Sequence, residues 1–273
     1  MKVFCLLIAA LGAIVAQAAP GQDLVMHLPG VQGEQYDVTL YSGFLDATPT
    51  DKVHYMFVES ENDPSTDPVV LWLQGGPGAS SLMGAFQEFG PFIVSGPTSL
   101  VRNEFAWSKA ANLLFLESPT GVGFSYCEAM TRGDKCHHND TTTANLNLQS
   151  LKSFVDLFPE YSGRDFMIWG ESYAGVFVPT LADLIYESSK SSDGLDLNFI
   201  GFAVGDPCTS EKYQHLSDQL HFNLRFAYTN GFISSESYDN LMNHCTSRDS
   251  NGHLVSLSPP TLILSCSRFL DFC

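Results

Sequence analysis

A chain of 273 residues with 30 acidic and 13 basic side chains carries a formal net charge of −17, which argues against nucleic acid or an anionic membrane surface as a partner. Its 44% hydrophobic content can fill a sizeable core, and its length fits one large domain behind a leader. No CxxC pair or His/Cys cluster has zinc spacing, so neither a metal nor a cofactor is expected.

Residues 1–18 read as a signal peptide. Lys2 gives a positive start, Val3 to Val15 is mostly apolar, and Ala16-Gln17-Ala18 is a small-x-small cleavage site. The run is too short to span a bilayer, and no later stretch is long and apolar enough to do so. The mature chain is therefore expected to be soluble and to follow the secretory route.

Strand and helix signals then alternate. Tyr36 to Tyr41 and Val53 to Glu59 read as closely spaced, antiparallel strands, with Ser42-Gly43 and Thr48-Pro49 as punctuation. Val69 to Leu73 and Leu113 to Leu116 are continuous apolar runs, the pattern of strands buried on both faces. Phe166 to Trp169 and Phe199 to Val204 complete the set. From Thr141 to Phe158 a helix is predicted, with Leu148, Leu151, Val155 and Phe158 on one face and Pro159 as its stop. Phe177, Leu181, Leu184 and Ile185 share the face of a second helix, which Pro179 should kink or break. Tyr213 to Phe226 and Ser235 to Cys245 read as two more. This alternation predicts an α/β fold, a mostly parallel sheet covered on both sides.

Cys5 leaves with the leader, and six cysteines remain: Cys127, Cys136, Cys208, Cys245, Cys266 and Cys273. Secretion favours disulfides. Spacing does not choose among the connectivities, although Cys127 with Cys136 can close one surface loop. His137-His138 reads as a solvated loop pair. Asn139-Asp140-Thr141 is an N-glycosylation sequon.

Two motifs carry chemistry. Gly170-Glu171-Ser172-Tyr173-Ala174-Gly175 follows a strand and opens a helix. Such a turn exposes the serine oxygen and aims helix N–H groups toward it, which suits a nucleophile. Alone the pattern is weak, and Ala174 departs from its strict form. The second motif, Gln74-Gly75-Gly76-Pro77-Gly78, follows the strand Val69 to Leu73. Acyl transfer needs donors fixed where the tetrahedral oxyanion forms. Gly76 sits where a loop donor belongs, and Tyr173 supplies the donor after the nucleophile.

With Glu117-Ser118-Pro119-Thr120-Gly121-Val122-Gly123-Phe124-Ser125-Tyr126, Tyr41-Ser42-Gly43 and Phe158-Pro159-Glu160-Tyr161, these motifs resemble the serine carboxypeptidases from about residue 24 to 245. The resemblance implies an α/β-hydrolase fold and an acid-active exopeptidase that releases C-terminal residues through an acyl-enzyme. A vacuolar, lysosomal or secreted location goes with it. It also implies that Trp72, Gln74, Gly75, Glu88 and Glu171 hold the substrate's terminal carboxylate. Two close carboxyl groups cannot easily both ionise, so one pKa rises. The protonated pair can donate to a carboxylate and the ionised pair repels it, so KM should rise with pH. This chain has Gln74 where asparagine is usual, Ala79 where cysteine is usual, and Asp206 where asparagine is usual.

The implied layout is an α/β-hydrolase core over 19–206, the start of a helical cap over 207–245, and a divergent tail over 246–273. The order Ser, Asp, His seeks the acid and base on late strands after Ser172. His215, His221, His244, His253, Asp218, Asp239 and Asp249 follow the serine but do not fit those positions. The sequence therefore reads as a C-terminally truncated carboxypeptidase lacking its catalytic Asp and His. Two alternatives stay open: a non-catalytic form that binds peptide C-termini, and an acyltransferase or esterase of the same family.

Overall fold

The computed structural model describes residues 20–31, 37–190, 194–210, 214, 216–248 and 254–256. Strands β1 (Leu40–Asp46), β2 (Lys52–Val58), β3 (Val69–Leu73), β4 (Phe92–Gly96), β5 (Ser99–Arg102), β6 (Asn112–Leu116), β7 (Asp165–Glu171) and β8 (Asn198–Gly205) alternate with helices α1 (Glu128–Thr131), α2 (Asp140–Leu157) and α3 (Ala174–Ser188). Helices α4 (Leu216–Thr229) and α5 (Ser235–Cys245) and strands β9 (Thr246–Arg248) and β10 (Leu254–Ser256) follow. The main sheet has the order β1-β2-β6-β3-β7-β8. β1, β2 and β6 pair antiparallel, and β6, β3, β7 and β8 run parallel. Leu71 on β3 lies opposite both Leu114 and Ile168.

The pleat divides the core. On β3, Val69, Leu71 and Leu73 join one apolar cluster, which α2 and α3 complete with Leu151, Phe154, Phe177, Leu181 and Ile185. Val70 and Trp72 point the other way, toward Ala85, Phe89 and Phe92. Every residue of β3 and β6 is buried, as their continuous apolar runs require. Helix α2 starts where Asn139 accepts from the Thr142 N–H and Thr142 accepts from the Asn139 N–H, a reciprocal cap that satisfies two free donors.

Four details differ from expectation. The first strand begins at Leu40 and passes straight through Ser42-Gly43. Gly43 is needed inside the strand because a Cβ there would lie 2.4 Å from the Asp23 carboxylate, which accepts from the Tyr55 hydroxyl at 2.8 Å; residues 32–36 lie outside the described range. Pro179 does not break α3, which continues to Ser188. The carbonyl that Pro179 cannot serve is that of Gly175; the Thr180 hydroxyl donates to the next one, Val176 O, at 2.7 Å. A hairpin, β4–β5, occupies a region without predicted strands, and a second, β9–β10, lies within 246–273. No helix among the described residues is long and apolar enough to cross a membrane.

Candidate active site

β7 delivers Glu171 and Ser172 to the end of the sheet beside β3, and α3 begins two residues later. Ser172 has φ 59°, left-handed backbone for a residue with a side chain, which costs on the order of 1–3 kcal/mol and persists only where surrounding structure holds it. Here the Ser172 N–H donates to Gly205 O at 3.0 Å, and its carbonyl accepts from Gly175 N and Cys208 N at 2.9 Å each. The turn is thus tied to the end of β8.

The loop after β3 lies directly on this turn. A Cβ on Gly75 would stand 2.5 Å from Tyr173 N and 2.9 Å from Ser172 Cβ, so only glycine permits the approach. Gly76 has φ 109°, and among the described residues no backbone acceptor takes its N–H. The structure therefore brings Gly75, Gly76, Ser172 and Tyr173 together. The Ser172 hydroxyl has no hydrogen-bond partner among the described residues. His215, His253 and Asp249 lie outside that range, as do the side chains of Asp218, His221 and His244.

The five residues expected to hold a carboxylate also converge. Trp72 Nε1 donates to Gln74 Oε1 at 2.8 Å, and Gln74 Nε2 donates to Glu171 Oε2 at 2.9 Å. Phe89 meets the Trp72 ring edge-on with centroids 4.6 Å apart, fixing the indole that sets the orientation of the Gln74 amide. The longer amide of Gln74 therefore still bridges tryptophan and carboxylate. Although Glu88 is largely exposed, its carboxyl sits above the ordinary range: partial burial raises it most, the charge of Glu171 raises it further, and a hydrogen bond with Gln74 opposes both. This is the arrangement in which a neutral carboxyl survives to higher pH.

Beside the turn lies a cavity of 700 Å³ bordered by Pro77, Thr120, His138, Asp140, Tyr173 and Phe177. The Tyr173 hydroxyl donates to Asp140 Oδ1 at 3.0 Å. His138 departs from the reading of a solvated pair. It is half-buried, its Nε2 lies 2.7 Å from Thr120 Oγ1, and burial lowers its pKa most; His137 is exposed. The loop before it is closed by the Cys127–Cys136 disulfide, the local pairing that could close one surface loop. Asn139 is exposed at the head of α2.

A polar cluster that sequence reasoning missed lies behind the Gly75–Ala79 loop. Glu117 is 1% exposed and His54 7%. Glu117 Oε2 lies 3.0 Å from His54 Nδ1 and accepts from Phe124 N at 2.8 Å, while Oε1 accepts from the Ser80 hydroxyl. Burial pushes the Glu117 carboxyl up, but His54, the Phe124 N–H and Ser80 outweigh it and hold the group below the usual range. Glu117 opens a recognised motif, yet nothing in the sequence pairs it with His54 or Ser80.

The serine carboxypeptidase family model matches residues 29–264, including part of the 246–273 segment in which no motif was legible. The chain is 42% identical over 235 residues to the lysosomal protective protein of Mus musculus, covering 85% of this chain and 46% of that protein. It is 40% identical over 229 residues to the serine carboxypeptidase ctsa-4.1 of Caenorhabditis elegans, covering 84% and 46%. Among solved structures, Kex1(delta)p, a prohormone-processing carboxypeptidase from Saccharomyces cerevisiae, superposes with a TM-score of 0.67 at 25% identity, covering 91% of this chain and 57% of that one. The chain thus spans about half the length of the curated relatives it matches.

Proposed function

Because this chain belongs to the serine carboxypeptidase family, whose α/β-hydrolase fold it shares, we propose that Ser172 is the nucleophile of an exopeptidase acting on peptide C-termini. Its oxygen attacks the last peptide carbonyl, the amine of the terminal residue departs with a proton, and water later hydrolyses the acyl-enzyme. The Gly76 and Tyr173 N–H groups stabilise the oxyanion. The carrying observation is the hydrogen-bonded row Trp72–Gln74–Glu171 ending beside the Ser172 turn. With Gly75 and Glu88 it binds the free carboxylate and so limits cleavage to chain ends.

The raised Glu88 pKa sets the sign of the pH response. Protonated, Glu88 donates to the substrate carboxylate; ionised, it loses that donor and repels the substrate. Binding therefore weakens as pH rises, and the enzyme is acid-active. A KM that stays flat between about pH 4.5 and 7.5 contradicts this reading.

We assign no catalytic Asp or His among these residues. A second reading is a form that binds peptide ends without cleaving them, supported by the assembled carboxylate row. A fluorophosphonate probe separates the two. Labelling lost in Ser172→Ala supports the nucleophile, and absence of labelling in the unaltered chain supports the binding form.

The leader at 1–18, the disulfide and the likeness to a lysosomal protective protein support a secretory route ending outside the cell or in a lysosome or vacuole. We read 19–206 as the core, 207–245 as the start of a cap and 246–273 as a tail. Asn139 is the proposed glycan site: its Oδ1 caps α2 and leaves Nδ2 available.

A further inference from the structure

Glu117 is a nearly inaccessible carboxylate with a fitted surrounding. Gly123 has φ 53°, and a Cβ there would lie 1.9 Å from Glu117 Oε1, so the chain leaves that space to the carboxylate. His54 is fixed in turn: its Nε2 lies 2.9 Å from Ser42 Oγ, and its backbone N–H donates to Ser125 Oγ at 2.8 Å. The Ser125 hydroxyl donates to Glu117 O at 2.5 Å, and Glu117 N donates to His54 O at 3.1 Å. β2 and the segment after β6 are thereby joined around one carboxyl group.

The free end of this assembly points to the loop on the nucleophile. The Ser80 hydroxyl donates to Glu117 and accepts from Leu82 N at 3.1 Å. Immediately before Ser80, Ala79 N donates to Gly75 O at 3.1 Å, and immediately after it, Ser81 Oγ accepts from Gln74 N at 3.1 Å. The loop is closed on itself but is tied to the β6 side of the sheet through Ser80. A buried carboxylate that accepts from Ser80 and Phe124, with the His54 ring 3.0 Å away, is costly to disturb, which makes it a stiff point of attachment.

We propose that Glu117, fixed by His54, is a positioning residue that acts through Ser80 to hold the Gly75–Ala79 loop against Ser172. This rests on the reading of Gly76 as an oxyanion donor. Misplacing such a donor by about 1 Å can cost on the order of a hundredfold in rate, so an attachment outside the site controls chemistry within it.

Ser80→Ala removes the tie while leaving Glu117 its His54 and Phe124 partners, and Ser80→Thr retains a hydroxyl. Amide hydrogen exchange over residues 74–83 is compared with that over β7 in the 273-residue protein. Ser80→Ala should speed exchange in the loop by about tenfold with β7 unchanged, and Ser80→Thr should restore protection. No change in the loop, or an equal rise in β7, overturns the proposal. If Ser80→Ala does not fold, Ser80→Cys, whose thiol is a weak donor, gives the same comparison. Where the unaltered protein labels with fluorophosphonate, the labelling rate should fall by about tenfold in Ser80→Ala and recover in Ser80→Thr; an unchanged rate also overturns it. If the unaltered protein does not label, the nucleophile reading fails for this chain, and hydrogen exchange still decides the attachment.

Discussion

β3 and β8 both run parallel to β7, one on each side of it, and they occupy different environments. Every residue of β3 is buried, and the loop that leaves it rests on Ser172. β8 is the sheet's edge among the described residues, with Ile200 and Phe202 exposed by 53% and 52%. The elements on the β3 side carry the Gly75–Gly76 loop, Trp72 and Gln74, which reach Glu171 on β7, and the tie from Ser80 to Glu117. The β8 side contributes backbone anchors to the turn, through Gly205 and Cys208. The hydrogen-bonded side-chain network of the proposed site thus lies mainly on the β3 side of Ser172.

Substitutions can break that contrast. Phe154→Ala, at a fully buried ring packed 5.0 Å from Phe57 and from Phe158, should cost about 3–5 kcal/mol in urea unfolding. A cost below about 1 kcal/mol would mean that the core on the β3 side is loosely packed. Glu171→Ala removes the Gln74 amide's acceptor and should weaken binding of a free-acid peptide by about 1.5–3 kcal/mol, measured by calorimetry. Unchanged affinity would detach the row from binding. Asn139→Ala should lower stability by about 1 kcal/mol, while Asn139→Asp keeps the cap and removes the sequon. A thermal shift alike in both would assign the loss to the glycan. Ile200→Ser on β8 should stay within about 0.5 kcal/mol; a larger loss would show that this edge is covered in solution.

The contrast also marks what was legible in the sequence. β3 and β6 could be read because a strand buried on both faces leaves an uninterrupted apolar run, and β7, buried at alternate residues, because Phe166 to Trp169 is equally apolar. β4–β5 could not, since its residues are mostly half-exposed and its signal is short. Ser42-Gly43 resembled a turn because the reason for Gly43, the Asp23 carboxylate, lies in a distant segment. The elbow and the glycine loop were legible as motifs, each local to a strand end, whereas the carboxylate row, drawn from the end of β3, Glu88 and the end of β7, came only with the family resemblance. His54, Ser80 and Glu117 come from three separate elements, and only the fold places them together. His138 was read as solvated because local composition does not reveal that Thr120 lies against it.

The central claim is that the row ending at Glu171 and Glu88 recognises a free peptide carboxylate. Calorimetry on Ser172→Ala, with one peptide as free acid and as C-terminal amide, tests it without requiring turnover. Tighter binding of the free acid at about pH 4.5, weakening toward about pH 7.5 as Glu88 ionises, is the expected result. Equal affinity for acid and amide at both pH values would contradict it.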